Sequence, residues 1–193
     1  MNKLTSGAIV GTLGIALLLG GAGTFATWNQ STTANAGTVA SGTLTIAKTG
    51  TTAPAWKNIS ADAVAGGVAI ANIAAYKIVP GDTLQMTQVF TVAATGDNLK
   101  ATLAYDPTSV TTVSTADAAL KAETTFALAA TGTGVTTDAT TKAISIAPNA
   151  NGTSQVTVTL TVALPKDVSG VTAQGGSLNL SAVSFSLTQN TRA

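Results

Sequence analysis

The sequence predicts an all-β protein: an antiparallel β-sandwich of about seven to nine strands with one short helix, preceded in the precursor by an N-terminal signal helix. Three observations carry this. Apolar and polar residues alternate with a period of two along several segments. Thr, Val, Ala and Gly dominate the composition, as they do in strands and turns. Clusters of Gly, Pro, Asn and Asp separate the alternating runs.

The chain opens as an export signal. Asn2 and Lys3 form a basic start, Gly7 to Gly23 is apolar and small, and Thr24-Phe25-Ala26 puts small residues three and one positions before a cut between Ala26 and Thr27. The core from Ala8 to Gly23 carries five glycines and is short for a membrane span, which needs about 20 apolar residues. Cleavage is therefore the expectation, and membrane attachment only through the uncleaved signal. The C-terminal Gln189-Asn190-Thr191-Arg192-Ala193 has no apolar tail. The organisation predicted is a signal peptide over 1–26, an extended arm over 27–42 and a β-sandwich domain over 43–193.

The arm begins Thr27-Trp28-Asn29-Gln30-Ser31-Thr32 and leads to a strand at Gly42-Thr43-Leu44-Thr45-Ile46. Thr49 to Ala75, rich in Ala and Gly, is compatible with a short helix, an irregular loop or a weak edge strand. Pro80-Gly81-Asp82 is a turn. Leu84, Met86, Phe90, Val92 and Ala94 then share one parity and Gln85, Thr87, Thr91 and Ala93 the other, which makes a half-buried strand. Leu99, Ala101, Leu103 and Tyr105 alternate with Lys100, Thr102 and Ala104 in the same way.

Ser114-Thr115-Ala116-Asp117 supplies a capping residue and a first-turn acid for a short helix over Ala118 to Ala122. Thr124 to Ala130 and Lys142 to Ala147 are shorter strands. Val156, Val158, Leu160, Val162 and Leu164 alternate cleanly with Thr157, Thr159 and Thr161. Near the end, Leu178 and Leu180 have one parity and Val183, Phe185 and Leu187 the other, which predicts a β-bulge near Ser181-Ala182.

Composition excludes several functions. There is no His, which removes His-ligated zinc and His-dependent triads. There is no Cys, so no disulfide framework. The eight acidic residues include Asp82, Asp97, Asp106 and Asp138 in turn contexts, where Asp bonds its own backbone. No oxygen-ligand run has calcium-loop spacing. No catalytic residue, cofactor or metal site is expected, and the chain is not read as an enzyme. With a formal charge of +1 and no basic patch, nucleic acid is not an expected partner. Near neutrality favours self-association.

Two blocks resemble a known family. Leu17-Leu18-Leu19-Gly20-Gly21-Ala22-Gly23-Thr24-Phe25-Ala26-Thr27-Trp28-Asn29, followed by Val39-Ala40-Ser41-Gly42-Thr43-Leu44, looks like the alternate-type signals cut by a SipW-type peptidase in the TasA, CalY and camelysin group of matrix fibre proteins. Pro80-Gly81-Asp82-Thr83-Leu84, then Phe90, Gly96, Leu99, Leu103 and Tyr105, follows that group's turn and strand block. The resemblance implies a jelly-roll sandwich, secreted to the extracellular matrix or cell surface, that polymerises head to tail with copies of itself. The donor arm of one subunit, starting at Thr27, would complete the sheet of the next, with an accessory matrix protein as a possible further partner. The group often carries an acid just after the aromatic; Trp28-Asn29-Gln30 has none, so a salt bridge from that acid is not carried over. Camelysin has been classed as a metallopeptidase, and without a His motif that activity is not carried over either.

The physics of a free arm points the same way. An extended arm can pair with an open sheet edge, and a Trp anchors the most buried area. Head-to-tail addition that does not close a ring makes a filament. The alternative is a monomeric cell-surface β-sandwich used for binding or adhesion, with Trp28 packed on its own domain and loops covering the sheet edges.

Overall fold

The computed structural model describes residues 38–171 and 173–191. Ala40–Ala193 form one compact unit. The signal, the cut site and the arm residues Thr24, Ala26, Thr27, Trp28, Asn29, Gln30, Ser31 and Thr32 all fall outside them.

Among the described residues are ten strands and one α-helix: β1 Leu44–Lys48, β2 Ala55–Asn58, β3 Val68–Ile70, β4 Thr83–Ala94, β5 Ala101–Tyr105, α1 Thr115–Glu123, β6 Thr125–Gly132, β7 Val135–Thr137, β8 Ile144–Ile146, β9 Thr153–Ala163 and β10 Phe185–Gln189. They form two antiparallel sheets. The larger runs β3-β2-β4-β9-β6, with β1 also pairing β4, and the smaller runs β10-β5-β8-β7.

β4 and β9 are the spine of the larger sheet, paired over eleven rungs from Thr83↔Ala163 to Ala93↔Thr153. Their even-numbered side chains face inward. Val92, Val156, Val158, Leu160 and Val162 are fully buried, and Leu84, Met86 and Ala94 nearly so. Burying one such side chain contributes about 1.5–3 kcal/mol, which is why strict alternation is enough to orient the strand. One core cluster takes Val92, Ala94, Ala130, Val156 and Val158 from the larger sheet and Leu103, Ile144 and Ile146 from the smaller. A second joins Trp56, Leu84, Met86, Leu160 and Val162, with Ile70, Tyr76, Ile78, Leu178 and Leu180 packed against it.

Gln88 shares the inward parity of β4 although it is polar. It is buried; its Nε2 donates to Val89 O at 3.0 Å, and its Oε1 has no partner among the described residues. It stands where the outer lane of β4 changes owner. β1 pairs Phe90–Ala94 and β2 pairs Leu84–Thr87, with the chain looping out between them.

The ambiguous stretch Thr49–Ala75 thus holds β2, β3 and a 3-10 turn at Ile73–Ala75, and Trp56 on β2 is core. β2 and β3, four and three residues long, are too short to show a period in an Ala- and Gly-rich context. α1 forms where expected, with a full capping box: Ser114 Oγ accepts from Asp117 N, and the Asp117 carboxylate accepts from Ser114 N.

One expectation is corrected. The parity change near Ser181-Ala182 is not a β-bulge. The residues from Leu178 to Ser184 are not a strand, and Val183 N donates to Leu180 O across a turn before β10 begins at Phe185. A turn resets facing as well as an extra residue does, and parity alone does not separate the two.

Candidate functional site: an unguarded strand edge

Of the residues singled out from sequence, Pro80-Gly81-Asp82 is described. Gly81 has φ of 101°, in the left-handed region that glycine favours. Asp82 Oδ2 accepts from Val79 N at 2.9 Å and from the Tyr76 hydroxyl at 3.3 Å. Leu164 N donates to Asp82 O, and Gly81 N donates to Leu164 O. Ser60 joins the turn to β2: its Oγ accepts from Thr83 N at 2.9 Å and donates to Asn58 Oδ1 at 2.6 Å. Asn58 Nδ2 donates to the Tyr76 hydroxyl at 3.0 Å. Burial, and then the Asp82 charge, push the Tyr76 hydroxyl above its ordinary pKa. These residues are a latch that starts β4. Asp106 and Asp138 are also turn residues: Asp106 accepts from the Thr108 hydroxyl and N–H, Asp138 from the N–H of Thr141 and of Thr140, and these bonds hold both carboxyls below their usual range.

The root of the N-terminal arm lies at the other end of β4. Thr43 N donates to Thr95 Oγ1 at 2.8 Å, and Thr95 N donates to Thr43 O at 2.9 Å. A Cβ at Gly42 would stand 2.0 Å from Thr95 O, so only glycine lets the chain enter the sheet here. The chain therefore enters the sheet at the β1 edge.

The opposite edge is β6. Antiparallel ladders alternate the direction of successive backbone groups. Leu164 exchanges bonds with the β4 side, so even-numbered residues of β9 face β4 and odd-numbered ones face β6. In the register Thr125↔Ala163 to Gly132↔Val156, the N–H and C=O of Phe126, Leu128 and Ala130 consequently point out of the sheet. No backbone hydrogen bond engages them among the described residues. Phe126 and Leu128 are half-buried on the inner side, and Phe126 stacks on Tyr105 at 5.5 Å between centroids.

At eight residues, β6 is the longest strand on any sheet edge among those described; β1 and β10 have five, β3 and β7 three. Its sequence, Thr-Phe-Ala-Leu-Ala-Ala-Thr-Gly, has no charge and no proline. Lys, Pro and bulges are the usual guards against pairing with another chain, and β6 has none of the first two. Thr124 to Ala130 was legible as a strand. That it is an edge was not, because which strand ends a sheet depends on pairings distant in sequence.

A concavity of about 480 Å³ opens between the Gly96–Lys100 turn and the end of β10, lined by Asp97, Asn98, Leu99, Lys100, Pro148 and Asn190. No group of three or more metal-ligating side chains occurs among the described residues. Comparison with protein-family models, curated proteins and solved structures finds no match.

Proposed function

We propose that the chain is a secreted structural subunit, a jelly-roll sandwich that polymerises into extracellular matrix fibres by N-terminal strand addition. Released between Ala26 and Thr27, the arm of one copy lies along β6 of the next and pairs with the outward groups of Phe126, Leu128 and Ala130. The carrying observation is the placement of the open edge: β6 is uncharged and its outer side has no partner strand among the described residues, on the side of the larger sheet away from the arm's root at Thr43. An arm leaving one edge and an acceptor at the other make a heterologous contact, which propagates as a filament. Thr27 to Ala36 is uncharged and free of proline, like β6, so neither partner resists pairing. The resemblance of the signal and first strand to the TasA group supports the same reading. The protein then has no catalytic role, and its partners are its own copies, a SipW-type peptidase and an accessory matrix protein.

The test has two arms. Deleting 27–36 and, separately, Ala130→Pro should each abolish fibres in electron micrographs of the processed protein while circular dichroism stays native. Ala130→Pro removes an outward N–H without touching the ladder to β9. Mass spectrometry should place the mature N-terminus at Thr27. Fibres that persist in both folded variants would overturn the proposal.

A further inference from the structure

The outer face of the larger sheet has no cover assigned by strand addition, which uses an edge. It is built by the odd-numbered residues: Thr87 and Thr91 on β4, Thr157, Thr159 and Thr161 on β9, and Ala127, Ala129 and Thr131 on β6. Among all outward positions of the larger sheet's strands only Lys57, on β2, is charged. The remainder are small and largely Thr or Ala, with Gln85, Val89 and Gln155 the longest or bulkiest among them. Thr49 and Thr91 pair their hydroxyls at 2.8 Å, whereas those of Thr87, Thr157, Thr159 and Thr161 make no hydrogen bond among the described residues.

We infer that this face is a self-docking surface that seats the same face of a second copy, joining copies laterally. Area is the deciding argument. The 43 strand residues of the larger sheet, each occupying about 4.8 Å by 3.3 Å, make a surface of roughly 700 Å² per copy. Two such surfaces bury about 1,400 Å², within the usual range for a specific interface. The outer face of the smaller sheet has similar chemistry in Thr102, Ser145, Thr136 and Thr188, but its strands are three to five residues long. It offers roughly 250 Å² per copy by the same reckoning, too little to hold a partner. Small side chains let two sheets approach at the aligned packing distance of about 10 Å. A two-fold axis lying in the face and through its centre is isologous, brings Thr159 of the two copies close together, and keeps the two Lys57 ammonium groups apart.

With no native Cys, a single introduced thiol reports on this directly. Thr159→Cys, in the mature chain treated with a short bismaleimide, should form covalent dimers at least tenfold faster than Thr102→Cys on the smaller sheet. Adding Thr87→Lys to Thr159→Cys should remove that advantage. The same dimers should appear in an Ala130→Pro background, where strand addition at β6 is blocked, so lateral docking and fibre growth succeed or fail independently. Equal rates at positions 159 and 102, no dimer at either, or dimers insensitive to Thr87→Lys in folded protein each overturn the inference.

Discussion

Asp117 Oδ1 accepts the backbone N–H of Ser177 at 2.7 Å across sixty positions of sequence, while Oδ2 accepts the N–H of Val113 and Ser114. One carboxylate thus caps α1 from within and pins the loop before Leu178 to it. Neither role needs a charged partner; the donors are backbone dipoles.

Those bonds, the one from Ser177 first, hold the Asp117 carboxyl well below its ordinary pKa of 3.8. A depressed folded value means the stabilisation is complete above pH 4 and fades as pH falls through and below that value. Asp117→Asn should lower the melting temperature at pH 7 and flatten the acid limb of a melting-temperature profile between pH 2 and 6. A variant whose profile runs parallel to the parent's contradicts the assignment.

Gly176 lets that loop approach the helix. A Cβ there would stand 2.5 Å from Ala116 O and 3.1 Å from Asp117 N. Gly176→Ala should destabilise by about 1–3 kcal/mol through overpacking. Denaturant titration reads it as a lower midpoint with an unchanged slope.

The Tyr105 hydroxyl is buried without a partner among the described residues, and burial, followed by the Asp106 charge, raises its pKa. The neutral form is the one the fold prefers, so this contribution to stability is present below pH 10 and is lost as pH rises through the raised value. Removing an unsatisfied hydroxyl while keeping the ring should stabilise. Tyr105→Phe is expected to gain about 1 kcal/mol at neutral pH and to keep the stack on Phe126. A loss of stability would show that the hydroxyl is bonded.

The chain has two tryptophans. Trp56 is 8% exposed, in the cluster with Met86 and Leu160, and Trp56→Ala should cost about 3–5 kcal/mol. Trp56→Phe keeps most of the packing and leaves Trp28 as sole reporter. If the arm docks on a neighbour, Trp28 emission should shift to shorter wavelength as concentration rises through assembly, and should stay put in Ala130→Pro. A shift independent of concentration points to packing on its own domain.

Local pattern was enough for the spine. The alternation from Leu84 to Ala94 and from Val156 to Leu164 is a property of neighbouring residues, as are the Ser114 cap and the Pro80-Gly81-Asp82 turn. Gln88 broke the pattern of β4 without ending the strand, because ten further rungs hold it in place. β2 is too short to show a period, so the pattern does not mark Trp56 as core. The turn at Leu180–Val183 and a bulge both shift parity by one, so alternation does not separate them.

By itself, the sequence determined that the chain is all-β, which face of each long strand turns inward, where the helix starts, and that no His or Cys chemistry is open to it. These follow from composition and from interactions a few residues apart. Only the tertiary structure decided that Thr125–Gly132 ends a sheet, that the chain enters at the other side beside Thr95, and that the Thr rows of β4 and β9 align into one broad surface. Edges and faces are created by pairings between segments distant along the chain, such as Leu84 with Val162, and the choice among such pairings is made by closure of the whole core.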